Sequence, residues 1–199
     1  MSYILGLTGP TGAGKGVFSK CAGEFGFNVI DCDAVARRAV RPGMPALARL
    51  TGVFGEEILR ENGELDRGKL AEIAFSSREK TELLNETVLP YVKELVIKDI
   101  KGDLVLLDAP TLFESGIDKL CDSTVAVTAA KEVRLSRIIA RDGISTAAAK
   151  RRISAGKPDE FYKENADTVL ENNEGIENFT KKVKIYLKSV IGGIHNERL

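Results

Sequence analysis

A glycine-rich segment with one lysine lies near the start of the chain. Residues 9–16 read Gly-Pro-Thr-Gly-Ala-Gly-Lys-Gly and follow the apolar run Tyr3–Thr8. This G-x-x-x-x-G-K spacing is typical of a phosphate-binding loop, because the glycines let backbone N–H groups turn toward phosphate oxygens and the lysine reaches the β- and γ-phosphates. The spacing therefore predicts a nucleoside triphosphate site. Its expected contacts are Gly9, Thr11, Gly12, Ala13, Gly14, Lys15, Gly16 and Val17.

Position 16 departs from this motif. Phosphate-binding loops usually carry serine or threonine there to ligate Mg²⁺, whereas this chain has Gly16 followed by Val17. Mg²⁺ keeps several water ligands readily, so the missing hydroxyl weakens the case for catalysis without excluding it. Asp33 and Asp108, with Thr11 and water, are then the candidate ligands of Mg²⁺.

The two carboxylates follow predicted strands. Asp33 comes shortly after Phe27–Ile30, and Asp108 directly follows Leu104–Leu107. Ligands of an open parallel sheet bind beyond the carboxyl ends of its strands, and phosphoryl transfer uses a carboxylate near the attacking oxygen. Asp33 is the preferred candidate for that catalytic role. A purely structural role stays open for each residue. Asp33 could be a helix N-cap, and Asp108 could be a turn residue before Pro110.

Composition restricts the class of protein. The 199 residues are 43% hydrophobic, and 29 basic residues balance 29 acidic ones, so no overall basic field favours nucleic acid. Cys21, Cys32 and Cys121 lack metal-ligand spacing, and the first residues lack the basic start of a signal peptide. No apolar stretch approaches the roughly 20 residues of a membrane span. We expect a soluble cytoplasmic protein, and with His195 as its only histidine, no histidine-based catalysis.

Short apolar runs alternate with helical patterns along the chain. This alternation predicts an α/β fold with a central parallel five-stranded sheet flanked by helices. The predicted strands are Tyr3–Thr8, Phe27–Ile30, Leu104–Leu107, Thr124–Val127 and the weaker Thr168–Leu170. A final amphipathic helix is predicted over Ile176–Ile191.

The second and third predicted strands are unusually far apart. Residues 42–103 lie between them, with apolar residues at helical spacing and Pro90 as a predicted kink or restart. We interpret this stretch as a helical subdomain for the phosphoryl acceptor. The alternative is a helical insertion that only covers the sheet and does not bind the acceptor.

Residues 131–157 carry a local excess of positive charge. The stretch contains eight basic residues and only two acidic ones. The spacing places Arg134, Arg137 and Arg141 on one face of a helix. Ser145 is a candidate N-cap for the next helix. We interpret residues 131–165 as a small helical lid whose arginines bind transferring phosphoryl groups, although a solvated basic helix has the same pattern. The nucleotide-binding core is then 1–41, 104–130 and 166–199 of a single domain.

Further short motifs accompany the loop in a fixed order. They are Val29-Ile-Asp-Cys-Asp33, Ala36-Arg37, Phe54-Gly55, Leu65-Asp-Arg67, Ala109-Pro-Thr-Leu-Phe-Glu114, Arg137-Ile-Ile-Ala-Arg-Asp142, and Ala166-Asp167 with Asn173. With these motifs, nearly the whole chain resembles the dephospho-CoA kinases, which have a P-loop kinase fold. The resemblance implies phosphorylation of the ribose 3′-hydroxyl of dephospho-CoA by ATP with Mg²⁺.

The resemblance also implies roles for individual residues. Lys15, Asp33 and Arg141 would be catalytic, and Arg137 and Asn173 would lie near the nucleotide. The acceptor-binding residues would be Thr8, Asp33, Arg37, Leu112 and Phe113. We expect a monomer whose partner is a small-molecule substrate, with no nucleic acid or membrane.

Several positions differ from the family pattern. Besides Gly16-Val17, Leu89 replaces a histidine, Thr111 a leucine, and Gly156 a glutamine. Two other hypotheses therefore stay open. One is a nucleotide- or CoA-binding protein of the same fold with weakened catalysis, and the other is a P-loop kinase for another hydroxyl acceptor, such as a nucleoside.

Overall fold

Five strands form one sheet in the computed structural model, which describes residues 2–197 and the side chains up to Ile194. The strand order is β2-β3-β1-β4-β5, and the pairings of β1, β3, β4 and β5 are parallel. The strands are β1 (Tyr3–Thr8), β2 (Asn28–Asp31), β3 (Leu104–Asp108), β4 (Ser123–Thr128) and β5 (Thr168–Glu171). The predicted α/β sheet is confirmed, with each strand within two residues of its predicted bounds.

The register of the central strands brings their carboxyl ends together. Leu7 of β1 is aligned with Asp108 of β3 and with Val125 of β4. The N–H of Ala109 donates to the carbonyl of Leu7 at 2.9 Å. The segment after β1 therefore begins at the same edge of the sheet as Asp108.

Among the described residues, five α-helices accompany the sheet in the larger of two compact units, which comprises residues up to 30 and from 101 onward. They are α1 (Lys15–Glu24), α6 (Lys131–Asp142), α7 (Thr146–Ser154), α8 (Asp159–Asn165) and α9 (Ile176–Glu197). Phe179, Val183 and Leu187 of α9 are buried in the core formed with β1, β4 and α1. The final helix is thus amphipathic, as predicted, and extends past Ile191. The His195 side chain lies outside the described residues.

The second unit spans residues 31–100 and is mostly helical. Its helices are α2 (Cys32–Ala39), α3 (Pro45–Phe54), α4 (Arg67–Ala74) and α5 (Arg78–Asp99). Helix α5 contacts the other three helices and buries Thr87, Val92 and Val96. An ion pair joins Arg38 of α2 to Asp99 at the end of α5.

Of the two alternatives predicted at Pro90, the restart is wrong, since α5 continues through this residue, and the kink stays a prediction. Proline removes one backbone hydrogen bond and disfavours the helix interior. Here Pro90 is exposed, and the buried residues on both sides of it hold the helix in place through packing. Tertiary burial thus outweighs the local preference.

Helices α6 and α7 share a small hydrophobic cluster. Ile138, Ala149 and Ile153 are its buried members, and Leu135, Ile139 and Ile144 pack against them. The Ser145 hydroxyl accepts from the N–H of Ala148 at 3.2 Å, which confirms the predicted N-cap. In the range 2–197, no helix is long and apolar enough to cross a membrane.

Candidate active site

The glycine-rich segment connects β1 to α1. Lys15 is the first residue of α1, and its Nζ donates to the carbonyl of Gly9 at 2.6 Å. The backbone of Gly9 has φ +138°, and a Cβ there would lie 2.1 Å from the carbonyl oxygen of Val127. Only glycine fits this position without displacing the central strand β4. The loop is therefore built against the sheet edge, in front of a helix N-terminus suited to phosphate.

A buried asparagine fixes the middle of the loop. Asn172 follows β5, and its Nδ2 donates to the carbonyl of Ala13 at 2.8 Å. Its Oδ1 accepts from Arg137 at 3.1 Å, and Arg137 also donates to the Ala13 carbonyl at 3.3 Å. A Cβ on Gly14 would lie 2.3 Å from the Asn172 Nδ2. Asn172 and Arg137 together hold the loop backbone in place.

The structure assigns the two neighbouring asparagines different functions. The Asn173 Oδ1 accepts from the N–H of Ala130 at 2.8 Å, near the start of α6. Asn172 was not among the predicted site residues. Its position after a predicted strand could have marked Asn172 as a site candidate. The sequence does not show, however, whether the side chain of Asn172 or that of Asn173 faces the loop.

Asp108 ends β3 and binds a serine of α1. The Ser19 hydroxyl lies 2.6 Å from the Asp108 Oδ2 and 3.2 Å from the carbonyl of Lys15. Ser19 stands one helical turn after Lys15 and also was not predicted. Asp108 thus lies beside the first turns of the helix that starts with the loop lysine.

The three arginines of α6 bind three different groups instead of facing one common region. Arg137 binds the loop, as described above. Arg134 is buried, and its Nη2 donates to Asp159 of α8 at 3.0 Å. Arg141 is exposed and binds Asp142 in a bidentate manner, at 2.7 and 2.9 Å. The seven steps from Arg134 to Arg141 rise by about 10 Å along the helix axis, which separates the surroundings of the two side chains.

Asp142 accepts hydrogen bonds from two arginines, Arg141 and Arg152. The hydrogen bond from Arg141 has the largest effect and, with that from Arg152, lowers the pKa of Asp142 to about 2. The same contact raises the pKa of Arg141. A carboxyl group whose pKa is lowered in the folded state stabilises that state above its ordinary pKa, and this contribution is lost as the pH falls toward 2.

A titration of the Asp142 carboxyl carbon by NMR is expected to give an apparent pKa near 2. Arg141→Ala should raise this pKa more than Arg152→Ala, because the Arg141 hydrogen bond is the larger cause. Lys150→Ala, which removes an exposed cation of α7, should leave it unchanged. An unperturbed Asp142 pKa in the unsubstituted protein would contradict the hydrogen bonds from Arg141 and Arg152 to this carboxylate.

A cavity of about 560 Å³ opens beside the loop. Gly9, Pro10 and Thr11 line its loop side, while Arg134, Arg152 and Lys157 contribute three cationic residues. The remaining lining residues are Pro110, Thr111, Glu114, Ile153, Ala155, Gly156 and Tyr162. The Nε of Arg134 is buried and has no hydrogen-bond partner among the described residues. The cavity offers positive charge next to a phosphate-binding backbone.

The predicted acceptor residues of the larger unit differ in exposure. The Thr8 side chain is buried, and its hydroxyl donates to the carbonyl of Pro110 at 3.2 Å. Leu112 is fully buried beneath β1, where a Cβ on Gly6 would lie 2.9 Å from its Cδ2. Phe113 is half-buried and lies edge-on to Phe161, with ring centroids 6.0 Å apart. Of these three residues, only Phe113 is exposed to solvent. Leu112 packs in the core and supports the segment after β3.

Asp31, Asp33 and Arg37 belong to the second unit. The N-cap of α2 is Asp31, whose side chain accepts from the N–H of Ala34 at 2.9 Å. The capping alternative for Asp33 is therefore wrong, and its exposed carboxylate lies in the first turn of α2. Arg37 lies 3.6 Å from Asp31 in a surface ion pair.

The donor atoms near the loop suit Mg²⁺. Asp108 supplies a hard carboxylate oxygen, and Ser19 supplies a hydroxyl next to it. The described residues contain no group of three or more His, Cys, Asp or Glu side chains that could hold a metal. Mg²⁺ in nucleotide sites commonly uses one or two carboxylates together with phosphate oxygens and water. The residues present fit that mode of binding.

The parallel sheet, the loop with Lys15 and the basic helices beside it define a P-loop kinase. A family model described as dephospho-CoA kinase matches residues 3–178. The chain belongs to the dephospho-CoA kinase family.

Individual relatives agree with this assignment. The chain is 35% identical to a dephospho-CoA kinase of Enterococcus faecalis, covering 96% of this chain and 99% of the relative. It is 41% identical to one of Fusobacterium nucleatum, covering 94% and 98%. A solved structure from Thermus thermophilus, 33% identical, has a TM-score of 0.79 and covers 94% of this chain and 97% of its own. A shikimate kinase of Acinetobacter baumannii, at 17% identity, has a TM-score of 0.56, covers 97% and 95%, and shares the fold.

Proposed function

We propose that this protein transfers the γ-phosphoryl group of ATP to the ribose 3′-hydroxyl of dephospho-CoA, giving coenzyme A and ADP. The observation that carries the proposal is the family match over residues 3–178, which includes an intact loop lysine. The protein is a phosphotransferase with ATP as its co-substrate.

The larger unit provides the phosphate site. Backbone N–H groups of the loop and the Lys15 ammonium bind the β- and γ-phosphates. Arg137 and Asn172 keep the Ala13 carbonyl turned away from those phosphates by binding it. The reaction requires mainly positioning and charge stabilisation from such groups.

Arg141 is the proposed cation for the transferring charge. It is bound to Asp142, so this role requires its guanidinium to exchange a carboxylate for phosphate oxygens. Bidentate binding suits either anion. Arg134, held in the cavity wall by Asp159, adds positive charge beside Pro10 and Thr11 without such an exchange.

Asp33 is the proposed carboxylate that accepts or orients the proton of the attacking hydroxyl. Its exposure and its freedom from the capping function, which Asp31 performs, support this role. Residues 42–103 are proposed to bind the acceptor, with Arg37 and Phe113 among its contacts. The long pantetheine arm of dephospho-CoA gives a reason for so large an insertion.

Mg²⁺, when bound, would neutralise charge on the β- and γ-phosphates. Asp108 is the proposed carboxylate that holds it, partly through water, and Asp33 is the second. We further propose that the protein acts as a monomer in the cytoplasm, where Cys21, Cys32 and Cys121 would stay reduced.

Gly16→Ser is expected to tighten Mg²⁺ binding severalfold and to leave the melting temperature unchanged. A Cβ at position 16 has no heavy atom within 4 Å, so the new side chain fits, and its hydroxyl restores the usual ligand. Mg²⁺ dependence of ADP release, with Gly23→Ala on the same helix as control, checks this. An unchanged Mg²⁺ requirement would show that position 16 does not face the metal.

Acceptor identity is tested by competition. Dephospho-CoA should displace a labelled acceptor analogue at concentrations at which AMP and adenosine do not, and phosphorus NMR of the product should show a new 3′-phosphomonoester. Equal displacement by a nucleoside, with phosphorylation of that nucleoside, would instead favour a kinase for another hydroxyl acceptor.

A further inference from the structure

We propose that Ser19 is a positioning residue that compensates for the hydroxyl missing at position 16, by holding the Asp108 carboxylate for Mg²⁺. The inference rests on the proposed use of magnesium and ATP, but it concerns a residue to which neither the loop motif nor the family pattern gives a role.

The geometry of the hydroxyl favours Asp108 as its acceptor. Ser19 has one hydroxyl proton and two acceptors within reach, the Asp108 Oδ2 at 2.6 Å and the Lys15 carbonyl at 3.2 Å. Hydrogen bonds from a hydroxyl to a carboxylate are typically about 2.5–2.7 Å long and stronger than neutral ones. The proton therefore goes to the carboxylate.

The location of Ser19 on α1 explains how it can act for position 16. Both residues lie in the first two turns of α1, and residues three apart on a helix are neighbours on its surface. Ser19 and Asp108 are both half-buried. A hydroxyl about one turn further along the helix thus reaches the carboxylate that ends β3.

The proposed role of the Ser19 hydroxyl differs from that of the hydroxyl in the usual motif. A serine at position 16 would be a direct metal ligand, whereas Ser19 would orient the carboxylate that is proposed to hold Mg²⁺, partly through water. Partners of this kind, outside the ligands themselves, typically change metal affinity by about 10–100-fold when removed. The chain can thereby retain Mg²⁺ use without the usual hydroxyl.

Calorimetric titration of Mg²⁺ into the complex of the full chain with a non-hydrolysable ATP analogue tests the proposal without the acceptor. Ser19→Ala is expected to weaken Mg²⁺ binding about tenfold and to leave analogue affinity in the absence of metal unchanged. Ser19→Thr should retain the unsubstituted value. Ser189→Ala is the matched control, because the Ser189 hydroxyl bonds only a helix carbonyl, that of Tyr186 at 2.7 Å, among the hydrogen bonds of the described residues.

A double-mutant cycle separates positioning from folding. In an Asp108→Asn background, Ser19→Ala should cause no further loss of Mg²⁺ affinity, since the two residues act through one interaction. A fall in melting temperature with unchanged Mg²⁺ affinity, or additive losses in the cycle, would overturn the proposal. Lack of turnover with dephospho-CoA would contradict the proposed function and would leave these binding results unaffected.

Discussion

Lys15→Ala is expected to lower turnover by about 10³-fold, the scale of losing a cation that stabilises phosphoryl transfer. Lys15 is the only lysine within the loop, and its Nζ already lies at the loop backbone, 2.6 Å from the carbonyl of Gly9. This position supports the proposed catalytic role of Lys15. ADP release under saturating ATP measures the effect.

Stability should change little in the same variant. One intramolecular hydrogen bond contributes about 1 kcal/mol, which corresponds to a few degrees in the melting temperature of a chain of this length. Lys20→Ala, at an exposed position of the same helix, is the control and should retain turnover. A collapse in stability of Lys15→Ala would mark the lysine as structural and would contradict its assigned role.

Gly9→Ala is expected to destabilise the protein by about 3 kcal/mol and to abolish ATP binding. A positive φ costs a non-glycine residue about 1–2 kcal/mol, and overpacking adds about 1–3 kcal/mol. The obstacle is backbone, the Val127 carbonyl oxygen at 2.1 Å from the added Cβ, so no side-chain rotation relieves it. The loop and β4 would have to separate, which moves the phosphate site.

Chemical denaturation and ATP-analogue binding check this prediction together. Gly16→Ala is the matched control for stability, because a Cβ at position 16 contacts no heavy atom within 4 Å. It should unfold like the unsubstituted protein. Equal stability of the Gly9 and Gly16 variants would show that the loop does not lie against β4 as described.

The sheet and the loop were predictable because their signals are local. Uninterrupted apolar runs such as Tyr3–Thr8 mark strands buried on both faces, and the glycine spacing itself specifies a phosphate-binding backbone. The restart predicted at Pro90 was wrong, because the packing of Val92 and Val96 outweighs a local preference.

The residues that support the loop were not predictable in the same way. Asn172 reaches Ala13 across 159 positions, and Ser19 reaches Asp108 across 89. No local pattern encodes such pairs. The arginines of α6 show the limit of local spacing, which predicted one shared helical face but neither the burial of Arg134 nor the pairing of Arg141 with Asp142.

The roles assigned to Asp33, Arg37 and Arg141 stay predictions that need chemistry to test them. Asp33→Asn should reduce the chemical step more than ATP affinity. If both fell equally, Asp33 would act in binding and not in proton transfer. The lid over residues 131–165 and the acceptor subdomain over 42–103 also stay predictions.

The most direct test of the central claim is a coupled assay for ADP release by the purified full chain, with and without dephospho-CoA, over a range of Mg²⁺ concentrations. We predict ADP release that requires dephospho-CoA and saturates at millimolar Mg²⁺. Binding of ATP without dephospho-CoA-dependent release of ADP at any Mg²⁺ concentration would contradict it, and would favour a nucleotide-binding protein that has lost catalysis.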